Sequence, residues 1–353
     1  MKVLLIGDTN IQDREDPASA FSKVRDLLDA SDIRFCHAEG MFTETAREKG
    51  IPSLVFKERW RHSTPEMFTA FRDARFDALC MASNVSAESA AVSETIHIAE
   101  GYCIKVCGIG ENVELARSPA VVEREGVKFA LLSRTCVFWP NIVPATETRA
   151  GAATVRAYTA YQPGRRSLEM PGSPPEIRTW PDEAELARLI EDIEAARTVA
   201  DCVILSLHWG ISGSQEVLDY QRCIGRAAVD AGVSLVFGHH SHMVAPVEVY
   251  RGVPIFYSLG NFAFDWEKAR NRILDGIAVE ARWDRESKRF SECTIIPVSR
   301  GEDNLIAPVP EGSPTAERIL GFVKETAECG SLSRIFRKGD RLGIVLNRPE
   351  APF

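Results

Sequence analysis

Two short segments, Leu205-Ser206-Leu207-His208-Trp209-Gly210 and Val236-Phe237-Gly238-His239-His240-Ser241-His242, each put histidine directly behind an apolar, strand-like run. They hold four of the chain's seven histidines. Neutral imidazole is the commonest protein ligand for transition metals, and the exits of buried parallel strands are where α/β folds collect their chemistry. A single histidine pair behind one strand is as well explained by polar residues in a loop mouth. Two such exits in series point to a metal site. Further polar side chains stand at comparable places. Asp8 follows the apolar run at the amino terminus, with Asn10 two residues on. His37 and Glu39 follow a second run, and their period-two spacing puts them on one side of the chain. Asn84 comes after Met81-Ala82-Ser83, the end of a third run. Carboxylates, an amide oxygen and several imidazoles converging on one rim make a site of intermediate hardness, suited to one or two Zn, Mn or Fe ions.

The elements that must position these groups alternate between strand and helix. Lys2–Gly7, Ile33–His37, Phe76–Ala82 and Cys103–Cys107 read as strands; Pro17–Ala30, Pro65–Ala74 and Glu88–Glu100 have helical spacing. This order predicts βα units and a sheet covered on both faces. Ala120–Arg124 and Val127–Ser133 read as a hairpin around Glu125-Gly126. Phe138–Trp180 shows no clear period and predicts a long connection, either an active-site cover or an insertion. Next come the helix Asp182–Thr198 with Pro181 in its first turn, the strand Cys202–Leu207, a helix around Tyr220–Ala231 and the strand Ser234–Gly238. A hairpin, Val247–Tyr250 with Val253–Leu259, and the strands Ile277–Trp283 and Phe290–Val298 complete the pattern. Two sheets packed face to face, each flanked by helices, accommodate it.

Composition fits a soluble enzyme: 353 residues, 45% apolar and 26% charged. The net charge of −8 argues against general affinity for nucleic acid or an anionic membrane, while leaving an anionic substrate open, because a bound metal outweighs the surrounding field locally. Met1–Asp8 is too short an apolar run for a signal peptide, and no segment is apolar enough to span a bilayer. Nine cysteines in apolar contexts read as reduced thiols, with Cys103 and Cys107 a weak pair inside one strand; the expected compartment is the cytoplasm.

The order Gly-Asp, a strand ending in Glu-Gly, Asn after an apolar strand, His208-Trp209-Gly210, Gly238–His242 and Tyr257–Phe262 resembles the CapA-like proteins. These are named for bacterial poly-γ-glutamate capsule synthesis and are related to the calcineurin-like metallophosphoesterases. The resemblance runs from Met1 to about Pro310. It implies a four-layer α/β/β/α metallophosphatase-like sandwich over residues 1–310, with 138–180 an insertion or lid and 311–353 a helical and strand extension. It also implies a metal centre, often dinuclear, at the strand exits. Asp8, Glu39 and Asn84 match the family's acidic and amide positions; His208, His240 and His242 match its histidines. His239 is an addition, and Glu88 stands where a family acid follows the asparagine.

Three departures bear on the chemistry. Ser83-Asn84-Val85 replaces Asn-Asn-His, removing the histidine that would assist catalysis. Ser212 stands where an acid is usual, and His37 where an asparagine is usual, so His37 is either an added ligand or a loop histidine. Loss of a general acid costs about 10²–10⁴-fold, so the chemistry has room to drift from phosphoester hydrolysis. The roles that follow are Asn84, His208 and His240 in catalysis and Asp8, His37, Glu39, Asn84, His208, His240 and His242 as ligands, with Asn10, Glu88 and His239 further possibilities. Arg149, Arg156, Arg165 and Arg166 are candidates to clamp an anionic group, though solvation is the commoner fate of such arginines. Trp209 is expected to pack against the metal shell, and Tyr257–Phe262 to brace the histidine loops. The expected substrate is a small molecule or short polymer, anionic in character. Three functions fit: a soluble metal-dependent hydrolase of an amide, peptide-like or phosphoester bond; a non-hydrolytic accessory protein of capsule or polyglutamate synthesis; or a redox-active iron enzyme.

Overall fold

The structure, a computed structural model, describes residues 1–48, 54, 57, 60–329 and 334–346. Strand β1 (Lys2–Asn10) shows why the chain layers as it does. Leu4 and Ile6 point into a core shared with helical segments, whereas Val3 and Leu5 point into a core shared with a second sheet. A strand buried on both faces reads as a continuous apolar run. Beside β1 lie β2 (Ile33–Ala38), β3 (Ala78–Cys80) and β4 (Lys105–Cys107), all parallel. On the other side of β1 the antiparallel strands Leu274–Asp284 and Arg289–Arg300 extend a ten-stranded sheet.

The second sheet has seven strands. Its parallel centre is β5 (Val127–Thr135), β6 (Cys202–His208), β7 (Leu235–His239) and β8 (Val253–Phe256). Leu131, Ile204 and Phe237 face the first sheet, while Leu132, Leu205 and Val236 face outward onto helices α2 (Glu183–Val199) and α3 (Asp219–Asp230). The outer face of the first sheet is covered by Pro17–Asp29, Pro65–Asp73 and α1 (Ser89–Gly101). Four layers, α/β/β/α, result. Helix Pro314–Thr326 packs into the core between the sheets, and strands Arg334–Lys338 and Arg341–Val345 add to the edge of the ten-stranded sheet.

Several expectations need correction. Pro17–Ala30 is not one α-helix: Pro17–Val24 is 3₁₀ and Arg25–Asp29 is α. The hydroxyls of Ser19 and Ser22 donate to carbonyls three residues back, which favours the tighter turn. Pro65–Ala74 divides in the same way, with the Thr69 hydroxyl donating to Glu66. The aperiodic connection contains an antiparallel ribbon, Ala157–Gln162 with Glu176–Pro181, largely exposed on both faces and therefore without alternation. Pro181 ends that ribbon; Asp182 caps α2 by accepting from the Glu185 amide. Cys103 lies outside its strand in a left-handed conformation, and all nine cysteines are unpaired. No helix among the described residues is long and apolar enough to cross a membrane.

Candidate metal centre

Parallel strands in both sheets release their carboxyl-terminal ends on the same side of the molecule. In the first sheet Asp8 pairs in register with His37; in the second, His208 pairs with His239. Two glycines permit the close approach. A Cβ on Gly7 would stand 2.1 Å from the Gly260 carbonyl, which accepts the Asp8 amide. One on Gly238 would stand 2.1 Å from the Tyr257 carbonyl. Beyond β7 the chain turns sharply, with His240 and His242 both at positive φ, a conformation that costs non-glycine residues on the order of 1–3 kcal/mol and concentrates at functional sites.

Asp8 stands at the middle. Ligand-type atoms of Asp8, His37 and His208 lie within 4.8 Å of one another, and so do those of Asp8, Glu39 and His242. The His37 ring stacks on His208 and His239 at centroid distances of 4.9 and 4.4 Å, and His37 Nε2 is 3.0 Å from His208 Nδ1. His239 Nδ1 is 3.5 Å from Asp8 Oδ1. The His240 ring lies 4.6 Å from that of His208, while its backbone amide donates to Asp8 Oδ2. His242 Nδ1 is 3.4 Å from Asp8 Oδ2, and its Nε2 is 3.8 Å from Glu39 Oε2.

Most of these polar atoms lack hydrogen-bond partners. Asp8 Oδ1, Glu39 Oε2, His37 Nδ1, His208 Nε2, both ring nitrogens of His239 and His240 Nδ1 are buried without one, as is Asn84 Oδ1. A folded protein leaves few such groups, because each costs about 1–3 kcal/mol. Neutral imidazoles and carboxylates gathered without partners are the donor set a divalent ion satisfies. Burial, then the neighbouring imidazoles, pushes His37 and His240 down to about 3 and His208 and His239 well below their ordinary value. Burial, then Glu39, pushes Asp8 well above the usual carboxylate range. The imidazoles are thus held in the neutral form that binds metal.

Not every expected residue joins this cluster. Asn10 donates its amide to the Glu39 carbonyl and so steadies the backbone that carries Glu39. Glu88 is half exposed at the start of α1, with its nearest imidazole that of His62 at 3.9 Å. Trp209 does not pack on the metal shell: its indole donates to the Tyr257 carbonyl and stacks on that ring in the outer core. Asn261, in the Tyr257–Phe262 segment, does brace the histidine loop, meeting both His242 Nδ1 and the His242 carbonyl. Arg149 donates to the carbonyls of Asn141 and Pro144, and Arg156 lies over Phe138. One neighbour was not anticipated: the Lys57 ammonium acts electrostatically on Glu39 and His240. It belongs to a stretch without a sequence period.

The sequence matches the family described as bacterial capsule synthesis protein PGA_cap over residues 2–266. The chain belongs to this family. The capsule biosynthesis protein CapA of Bacillus anthracis is 27% identical over 286 residues, taking in 80% of this chain and 61% of that protein. The PGA biosynthesis protein CapA of Bacillus subtilis (strain 168) is 45% identical over 84 residues, 23% of this chain and 22% of that one. Each alignment thus spans less than two thirds of the relative's length. Among solved structures, a phosphatase of Mycoplasma pneumoniae superposes with a TM-score of 0.49 at 12% identity, covering 85% of this chain and 93% of the other. A likeness of that order bears on no detail of the site, whose chemistry rests on the capsule family member's own residues.

Proposed function

We propose that this member of the capsule synthesis family is a metal-dependent hydrolase acting on an amide, peptide-like or phosphoester bond. The observation that carries the reading is the set of buried, unpartnered ligand atoms around Asp8, which belongs to both triads. In this reading Asp8, His37 and His208 would hold one divalent ion, and Asp8, Glu39 and His242 would hold a second. A bound divalent ion supplies charge to polarise a substrate oxygen and to bring water's pKa from ~15.7 towards ~7. The chain's residues do the rest. His37 and His208 hold each other's orientation through their close ring nitrogens, and Asn261 fixes the ring of His242. Asn84 offers its amide to the developing negative oxygen. Asp8, His37, Glu39, His208 and His239 are almost wholly shielded from water, while the side chain of His242 is 24% exposed and marks the open side.

Purified protein, assayed with Zn, Mn or Fe(II) against a panel of γ-glutamyl amides and phosphoesters, tests this. Metal-dependent turnover of one class supports it; retained metal with no turnover of either overturns it. A second reading, an accessory protein of capsule polymer synthesis without hydrolase activity, is favoured by Val85, which is wholly buried in the apolar core and supplies no proton. It expects near-inert behaviour towards p-nitrophenyl phosphate, with some activity gained in Val85→His.

A further inference from the structure

Lys57 has no use in the centre as described. Its ammonium lies 4.3 Å from the Trp60 ring centroid and 5.2 Å from that of Trp266. It is half buried, and among the described residues no carboxylate comes within ion-pair reach of it. Indole faces attract a cation, yet they replace only part of its hydration, so a sheltered ammonium without a counter-charge is costly. A second ammonium, that of Lys268, lies 5.4 Å from the same Trp266 ring, and the two cations act against each other. Among the described residues the balancing charge that acts on it is Glu39, which would be committed to a metal. Nearby, the Trp60 indole nitrogen is buried with no acceptor among the described residues. Two cations and two indoles, one of them with an unaccepted N–H, thus gather here, and the Lys57 charge reaches Glu39 and His240 of the centre.

We propose that Lys57, steadied between Trp60 and Trp266 and seconded by Lys268, forms the subsite that receives an anionic group of the substrate, a carboxylate or a phosphate, beside the metal centre. This rests on the hydrolase reading for its meaning but not for its test. An oxyanion here would pair with both ammoniums and relieve their mutual repulsion. It would also give the site a preference for substrates carrying negative charge next to the bond presented to the metals. Charge-assisted hydrogen bonds of this kind contribute about 1.5–3 kcal/mol, which is on the order of 10–100-fold in affinity.

The probes are inorganic phosphate and γ-glutamylglutamate, titrated into the metal-loaded protein. Binding is followed by calorimetry and by tryptophan fluorescence, which reads Trp60 and Trp266. The wild type should bind at least one probe saturably. Lys57→Met should weaken that binding on the order of 10-fold or more, Lys57→Arg should retain most of it, and Lys268→Met should give a smaller loss. Metal content should be equal in all four proteins. Which probe binds distinguishes a carboxylate from a phosphate source. If Lys57→Met folds poorly, the arginine and Lys268 variants still decide. No saturable binding by the wild type, or equal affinity in the variants that fold, overturns the subsite. Binding that needs Lys57, with no turnover of any substrate, would retire the hydrolase reading and leave the subsite standing. Turnover with an unchanged KM in Lys57→Met would do the reverse.

Discussion

The two ends of the central strands treat polar groups in opposite ways. At the amino-terminal ends, an aspartate just before one strand accepts the first amides of its neighbour. Asp32 takes the Lys2 amide, Asp77 that of Arg34, and Asp201 that of Lys128. Asp77 also meets Arg124, and Asp201 meets Lys288. At the carboxyl-terminal ends the same kind of strand releases Asp8, His37, His208 and His239, each with at least one buried ring or carboxylate atom left without a partner. One end uses polar groups to close the sheet; the other leaves them open. Charge buried in an open set is tolerated where something outside the chain completes it.

The largest expected effect sets one end against the other. Asp8→Asn keeps an acceptor for the His240 amide but removes the charge common to both triads. It should abolish metal binding by elemental analysis, yet leave the metal-free protein equally or more stable, because it deletes a carboxylate that burial disfavours. Asp77→Ala should keep the metal and lower stability by about 1–3 kcal/mol, the cost of a stranded buried donor. Thermal unfolding in chelator measures both. Parallel destabilisation would show that the two ends do not differ in kind.

Next come single ligands of unequal burial. His208→Ala removes a ring that touches both His37 and His240, whereas His242 stands at the open side, held by Asn261. Both variants should lose most bound metal, and His208→Ala should lose more. His37→Asn should cost about 10–100-fold in affinity, the loss typical of removing a supporting imidazole, or should change the preferred ion. Titration of metal-free protein with Zn, Mn and Fe(II) decides this; full occupancy in all three variants would remove the centre altogether.

The same contrast explains what could be read from the chain. Strands buried on both faces leave continuous apolar runs, so β1, β2, β6 and β7 were legible, and with them Asp8, His37, His208 and His239 at their exits. Glu39 followed from its spacing to His37. A group carried by irregular chain was not legible, since Lys57 has no periodic neighbour and only tertiary packing brings it to the site. Glu88 shows the converse: a position matched by motif order, half exposed and turned towards His62. The ribbon 157–162 with 176–181 escaped because its residues meet solvent on both faces, which erases the alternation that marks a strand.

The smallest expected effect concerns protons. Ordinary imidazoles, with a pKa of 6.5, would have to be deprotonated by an incoming ion below that pH, and three or more of them would make affinity rise steeply with pH. Here burial holds His37 and His240 near 3 in the folded protein, so between pH 5 and 7 they have no proton to lose. Burial, then Glu39, raises the Asp8 carboxyl well above its ordinary value, which works against its charged, metal-binding form. Metal affinity should therefore gain nothing in this window from deprotonating His37 and His240, and should rise with pH less steeply than a site of three exposed imidazoles. The sign for stability of the metal-free protein is separate. Between 6.5 and about 3 the unfolded chain takes up protons on these two histidines that the folded one refuses, so stability falls as pH drops through that window. Calorimetry in buffers of differing ionisation enthalpy counts the released protons directly; a count of three or more would mean that the imidazoles titrate as if exposed.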